Sequence, residues 1–317
     1  MTRVAAVDCG TNSLRLLVVD LDVDQGHAEQ VERRTTIVRL GQGVDRTGVF
    51  AEEALIRTFA CIEEYAEVIA GLDVAAVRFV ATSAARDVAN RDQFLAGVRS
   101  RIGVDAEIIS GDEEAALSYD GATRELARSG GVDEPVLVVD IGGGSTEFVI
   151  RSHAGEPVRG QSVDVGSVRL TERHLADDPP TAAQVDAVRR DVEAAIATVD
   201  VPLDDARTIV GVTGTITTMA AMVLDLEVYD REQVNEAHLA RADVLAAVDQ
   251  IVAMSVAQRS ALPFMHPDRA DVIGAGALVL AGVVERLDLP ELRVSSHDIL
   301  DGIAWSLVGR GRDPGPA

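Results

Sequence analysis

Apolar and polar positions alternate with two different periods along this chain. The run Val4-Ala-Ala-Val-Asp8-Cys-Gly10-Thr-Asn12-Ser13-Leu-Arg-Leu-Leu-Val-Val-Asp20 is apolar, then small and polar, then apolar again. That pattern predicts two strands joined by a polar turn. Over residues 51–70 the spacing becomes helical, with Leu55, Ile56, Phe59, Ile62, Ala66 and Ile69 on one face and Gly71 as a stop. Val77 to Ala81 reads as a short buried strand, Thr82 opens a helical segment to about Arg101, and Ala106 to Ile109 is a further strand. Ser110-Gly-Asp-Glu-Glu then starts a helix, and carboxylates in a first turn suit the positive end of the helix dipole.

Gly130-Gly131 and Pro135 mark a break, after which Val136-Leu-Val-Val-Asp140-Ile-Gly-Gly-Gly144-Ser-Thr-Glu147-Phe-Val-Ile150 repeats the strand–turn–strand pattern. Thr181 closes an Asp/Pro loop as the N-cap of a helix to about Val199. Thr208 to Val212 is a strand, Thr213-Gly-Thr a turn, and Ile216 to Leu224 a helix. His238 to Leu287 is mostly helical with interruptions near Pro263 and Pro267, Val294 marks a last short strand, and Ile299 to Val308 a final helix before a Gly/Pro-rich tail.

The two strand–turn–strand runs are one motif used twice. Val4–Val18 aligns with Val136–Ile150 at a constant offset of 132, placing Asp8 on Asp140, Gly10 on Gly142 and Ser13 on Ser145. Each copy opens about half the chain, so the pattern reads as duplicated domains. Glycine lets a backbone come close to a phosphate, and the N–H groups of such a turn can bind it. An aspartate at the strand end can hold a hydrated Mg²⁺ beside that phosphate.

Composition narrows the chemistry. The 317 residues include 29 basic and 52 acidic side chains, a formal charge of −23, which argues against a nucleic-acid or anionic-membrane partner. Every basic residue is arginine; without lysine there is no Schiff base and no P-loop. Two cysteines, Cys9 and Cys61, form neither a disulfide framework nor a C-x-x-C pair, and the N-terminal apolar run is cut by Asp8, so a soluble cytoplasmic protein is expected. Six scattered histidines, His153, His174 and His266 among them, show no metal-ligand spacing, and Trp305 is expected to be packed.

The motifs together resemble the actin/Hsp70/sugar-kinase superfamily and, more closely, the exopolyphosphatase/guanosine pentaphosphatase (Ppx/GppA) family. They are Val7-Asp8-x-Gly10-Thr-Asn12-Ser13; Ala81-Thr82-Ser83-Ala84-x-Arg86-Asp87 with Asn90; Ile109-Ser110-Gly111-x-Glu113-Glu114-Ala115; Asp140-Ile-Gly-Gly-Gly-Ser-Thr-Glu147; Gly166-Ser-Val-Arg-Leu-Thr-Glu172; Gly214-Thr215; and Arg269-Ala-Asp271-Val-Ile-x-x-Gly276. Leu300-Asp301-Gly302 departs from the family's Arg-Glu-Gly, and the length leaves no room for the helical HD-type domain of longer members, so the chain resembles the short, two-domain form.

The resemblance implies an α/β fold of two ribonuclease-H-like domains flanking a phosphate-binding cleft. Their expected extents are residues 1–124 with the C-terminal helix 297–317, and residues 125–296. It implies Mg²⁺-dependent release of terminal phosphate from inorganic polyphosphate, with guanosine pentaphosphate hydrolysis or non-catalytic binding of polyphosphate or an alarmone as alternatives. A homodimer is the assembly considered.

Glu114 is the expected general base, with Asp112 and Glu113 as like-charged neighbours. Asp140 and Glu147, flanking the Gly-rich turn, and the duplicate Asp8 are the expected metal ligands. Asn12, Ser13, Arg86, Gly142, Gly143, Gly144, Ser145 and Thr215 are the expected substrate-binding residues. Arg86 is expected at a helix start, where a cation makes sense if an anion lies between it and the helix.

Overall fold

The computed structural model describes residues 1–86, 88–129, 132–152 and 156–309. Asp87, the Gly130-Gly131 break, His153 and the tail beyond Gly309 lie outside the described residues. The chain divides into two compact units, Met1–Gly121 joined by the C-terminal helix, and Ala122–Asp298.

The first unit contains β1 (Thr2–Cys9), β2 (Ser13–Asp22), β3 (His27–Ile37), β4 (Ala76–Ala81) and β5 (Ala106–Ile108). Its helices are α1 (Val44–Thr47), α2 (Glu52–Ala70), α3 (Ser83–Arg86), α4 (Arg91–Ile102) and α5 (Gly111–Ser129), the last crossing the unit boundary. The second unit has β6 (Val136–Ile141), β7 (Thr146–Arg151), β8 (Arg159–Val163), β9 (Thr208–Val212), β10 (His238–Ala240) and β11 (Glu291–Val294). Its helices are α6 (Ser167–His174), α7 (Ala182–Ile196), α8 (Thr213–Val223), α9 (Arg231–Val234), α10 (Arg241–Ala253), α11 (Val256–Ser260) and α12 (Ile273–Leu287). Helix α13 (Ile299–Gly309) returns to the first unit.

The first sheet has the order β3-β2-β1-β4-β5 and the second β10-β11-β9-β6-β7-β8. Read from its far end, the second repeats the first as β8-β7-β6-β9-β11 and adds β10. In each, three antiparallel strands are followed by two parallel ones. This is the ribonuclease-H-like arrangement, used twice. The duplication extends beyond the hairpins: Asp8 pairs in register with Val80 and Asp140 with Val212, and both pairs keep the offset of 132 (140 − 8 and 212 − 80).

Why the strands read as continuous apolar runs is clear from β1. Ala5, Val7 and Cys9 enter one core with Leu55, Ile62 and Tyr65 of α2, while Val4 and Ala6 enter another with Ile299, Leu300, Ile303, Ala304 and Trp305 of α13. Strand side chains alternate faces, so a strand covered on both sides needs apolar residues throughout. The edge strands β3 and β8 have no such covering. Their residues are mostly exposed or half-exposed, which is why hydrophobic patterning did not reveal them.

Some elements differ from expectation. The segment expected as one helix from Thr82 breaks into α3 and α4. In α2, Ile56 is 61% exposed, whereas Thr58, Cys61 and Tyr65 are buried. The buried face includes Tyr65, whose hydroxyl donates to the Leu14 carbonyl at 3.0 Å. The Thr213-Gly-Thr turn is the first turn of α8, and His238 begins a strand. No helix among the described residues is long and apolar enough to cross a membrane.

The departure at Leu300-Asp301-Gly302 has a packing explanation. Leu300 is buried against the sheet, Asp301 pairs with Arg33 of β3 at 2.6 Å, and a Cβ on Gly302 would lie 2.0 Å from the Leu117 carbonyl oxygen. Helix α13 thus lies backbone-close to α5, one turn beyond Glu114. Replacing Gly302 by alanine should force the helices apart and cost about 1–3 kcal/mol. Urea unfolding followed by Trp305, the single tryptophan, should show a lowered midpoint; an unchanged midpoint would contradict the close approach.

Candidate active site

Both duplicated turns are closed the same way. Gly10 N–H donates to the Ser13 carbonyl at 3.0 Å, and Gly142 N–H to the Ser145 carbonyl at 3.0 Å. The segment following the third strand of each unit then takes the turn's carbonyls. In the first unit Val38 and Arg39 donate to Asn12 O (3.0 and 2.8 Å) and Gly41 to Thr11 O (2.8 Å). In the second, Ser167 donates to Gly142 O (3.0 Å), Val168 and Arg169 to Gly143 O (2.8 and 3.1 Å), and Arg169 Nε to Gly144 O (2.8 Å).

With the carbonyls engaged, the N–H groups of Thr11, Asn12, Gly143 and Gly144 have no protein acceptor among the described residues. Successive amides of this kind suit phosphate oxygens. The fit is tight at Gly166, where a Cβ would lie 2.6 Å from the Gly143 carbonyl carbon.

The strands flanking the turns carry opposite chemistry. In the second unit Asp140 of β6 lies in register with Glu147 of β7, and both are buried. Directly opposed residues of an antiparallel pair share a face, with Cβ atoms about 4.5–5.5 Å apart. Thr213 Oγ1 donates to Asp140 Oδ1 at 2.8 Å and Ser162 Oγ to Glu147 Oε1 at 2.7 Å.

In the first unit the same register sets Asp8 opposite Arg15, whose Nε donates to Asp8 Oδ2 at 2.8 Å. Arg15 holds the place of Glu147 at the offset of 132. Asp8, expected as a metal ligand, thus has one carboxylate oxygen ion-paired with Arg15 within its own hairpin. Next to it, burial and then the Asp8 charge push the Cys9 thiol well above its ordinary value, so it is no thiolate nucleophile.

A divalent cation fits the second unit better. Two facing buried carboxylates supply the hard oxygen ligands that such a cation takes. No group of three or more His, Cys, Asp or Glu suited to a metal occurs among the described residues. A pair of carboxylates matches Mg²⁺, which usually takes one or two carboxylates together with substrate phosphates.

Glu114 lies in the first turn of α5 and is 7% exposed. Arg86 Nη1 donates to its Oε2 at 2.7 Å. Two expectations are corrected here. Arg86 ends the single turn α3 rather than starting a helix, and its guanidinium pairs with Glu114. Glu113 does not crowd Glu114 with like charge, because it pairs with Arg78 at 2.7 Å. A buried carboxylate beside a guanidinium is held in one orientation.

Thr215, expected to bind substrate, is buried, and its hydroxyl donates to the Ile141 carbonyl at 3.1 Å, bracing the strand end.

A family model described as the Ppx/GppA phosphatase family matches residues 18–310. The chain belongs to the Ppx/GppA phosphatase family. It is 48% identical to a Mycobacterium tuberculosis protein named Exopolyphosphatase 2, over 98% of this chain and 99% of that one. It is 30% identical to a Vibrio atlanticus guanosine-5'-triphosphate,3'-diphosphate pyrophosphatase over 97% of this chain and 60% of that protein. The crystal structure of the Aquifex aeolicus family member superposes with a TM-score of 0.82 at 31% identity, covering 98% of this chain and 99% of that one.

The later Ppx/GppA motifs surround the second turn. A Cβ on Gly276 would meet Thr215 Cγ2 at 2.7 Å and Ser167 Cβ at 3.1 Å, and one on Gly214 would meet the Arg269 guanidinium at 2.3 Å. Arg269 Nη1 donates to Gly214 O (2.8 Å) and Thr218 Oγ1 (2.9 Å). Sequence reasoning quoted these motifs without giving Arg169, Arg269 or Thr213 a role, and it missed Ser162, which lies on the unpatterned strand β8. Gly166→Ala should displace the Ser167–Arg169 segment from the turn; a misplacement of about 1 Å costs on the order of 100-fold in turnover. Phosphatase assays with far-UV circular dichroism as the folding control test this, and full turnover would contradict the reading.

Proposed function

We propose that this chain is an exopolyphosphatase, releasing the terminal phosphate of inorganic polyphosphate with Mg²⁺ as cofactor. The observation that carries the phosphate chemistry is the facing Asp140–Glu147 pair beside the acceptor-free amides of Gly143 and Gly144. The choice of polyphosphate is supported by the relative named Exopolyphosphatase 2, matched along 99% of its length. Two buried free cysteines suit a reducing compartment, and we place the protein in the cytoplasm.

In this reading the turn amides of Gly143 and Gly144 bind phosphate oxygens. Asp140 and Glu147 hold the Mg²⁺, which when bound neutralises charge on the phosphates. Glu114 takes the proton of the attacking water as oxygen bonds to the terminal phosphorus. The anhydride P–O bond breaks, and the shortened polyphosphate leaves with the electron pair. Arg86 keeps the Glu114 carboxylate oriented while this happens.

Glu114→Gln should lower kcat by about 10²–10⁴-fold with polyphosphate affinity retained, since it removes a base at constant shape. Glu113→Gln, altering the exposed Arg78 partner, should stay near wild type. Near-normal turnover of Glu114→Gln would remove that residue from the mechanism.

Phosphate release from polyphosphates of several lengths, guanosine pentaphosphate and ATP, with Mg²⁺ and with excess chelator, tests substrate and cofactor together. Polyphosphate should be preferred and the chelator should abolish release. Faster hydrolysis of guanosine pentaphosphate would overturn the substrate, and full activity in chelator the cofactor.

A further inference from the structure

The head of α8 carries a strained backbone conformation. Thr213 has φ +67°, and it is the one β-branched residue with positive φ among the described residues. β-Branched side chains are genuine outliers in the left-handed region. Glycine would enter it without strain, yet the chain places its glycine one residue later, at Gly214, where the Arg269 guanidinium leaves no room for a Cβ.

What the strained residue gains is the place of its hydroxyl. Helix α8 follows β9 directly, with Val212 at the N-cap position and no side-chain cap. The sharp entry brings Thr213 Oγ1 to 2.8 Å from Asp140 Oδ1, 3.3 Å from Ile141 O and 2.6 Å from Val212 O. A hydroxyl has one proton to donate. Asp140 is the carboxylate among the three acceptors, and hydrogen bonds to carboxylates are the stronger ones when the group is charged.

We propose that Thr213 is a positioning residue for the cation site, its strained backbone serving to fix the Asp140 carboxylate opposite Glu147. The proposal rests on the reading above that Asp140 and Glu147 hold the divalent ion. Ser162 makes the matching contact to Glu147 Oε1 at 2.7 Å, so each facing carboxylate has one oxygen held by a hydroxyl. Outer partners of this kind set the orientation of ligating carboxylates, and their loss typically costs about 10–100-fold in metal affinity.

The test separates hydroxyl from strain with three substitutions in the full-length protein. Mn²⁺ alone, without substrate, is the probe, with free and bound ion followed by electron paramagnetic resonance; urea unfolding gives stability. Thr213→Ser should bind Mn²⁺ like wild type. Thr213→Val, which keeps the shape, and Thr213→Gly, which relieves the strain, should both bind about 10–100-fold more weakly. Thr213→Gly should be as stable as wild type or more so, which a merely structural role for the side chain would not give. As a fourth arm, Asp140→Asn reports on the underlying reading. If it binds Mn²⁺ like wild type, the metal site itself is wrong. If it loses the ion while Thr213→Val or Thr213→Gly retains wild-type affinity, or if Thr213→Ser binds as weakly as Thr213→Val, the positioning role is overturned and the metal reading stands.

Discussion

The antiparallel register of two hairpins is the constraint on which the rest depends. It sets Asp8 opposite Arg15 in the first unit and Asp140 opposite Glu147 in the second. A slip of one residue would turn each pair to the other face of its sheet. What fixes the register is visible at each turn, where a glycine N–H closes on the serine carbonyl three residues on. From the same backbone, one hairpin holds an ion pair and the other two facing carboxylates.

The two copies differ accordingly. In the first unit Arg86 holds Glu114, one turn before the close packing of α13 against α5 at Gly302 and Leu117. In the second the amides of Gly143 and Gly144 and the carboxylate pair are supported from behind by Gly166, Thr215, Arg269 and Gly276. Each of these glycines leaves room for a specific neighbour. The protein's charge of −23 makes such local devices necessary for a polyanion, because the long-range field opposes it. Amides, a cation and individual arginines act at short range, where that field matters less.

Much of this was legible in the sequence, for identifiable physical reasons. Strands covered on both faces leave apolar runs, so β1, β2, β6, β7 and β9 stood out, and the offset of 132 exposed the duplication. The candidate base was marked by the resemblance at Glu113-Glu114-Ala115, since acidic residues in a helix's first turn on their own fit simple capping. Edge strands β3 and β8 left no such trace, and Ser162 was hidden with β8. The partner of Arg86 was also out of reach, since Glu114 lies 28 residues away and meets it only through the parallel pairing of β4 and β5. The role of Thr213 needed its backbone angle, which a Gly-Thr motif does not disclose. Asp8 shows the opposite hazard: a perfect motif match at Asp8 and Gly10 concealed the change of Glu to Arg seven residues on.

The central claim is that the cation belongs to the second hairpin alone. Its most direct test is anomalous diffraction from crystals grown with Mn²⁺ and a polyphosphate analogue whose bridging oxygens are replaced by methylene. The account predicts one strong manganese peak about 2.0–2.2 Å from carboxylate oxygens of Asp140 and Glu147, with the analogue's terminal phosphate on the amides of Gly143 and Gly144. A peak on Asp8, with Arg15 displaced from it, would contradict the account.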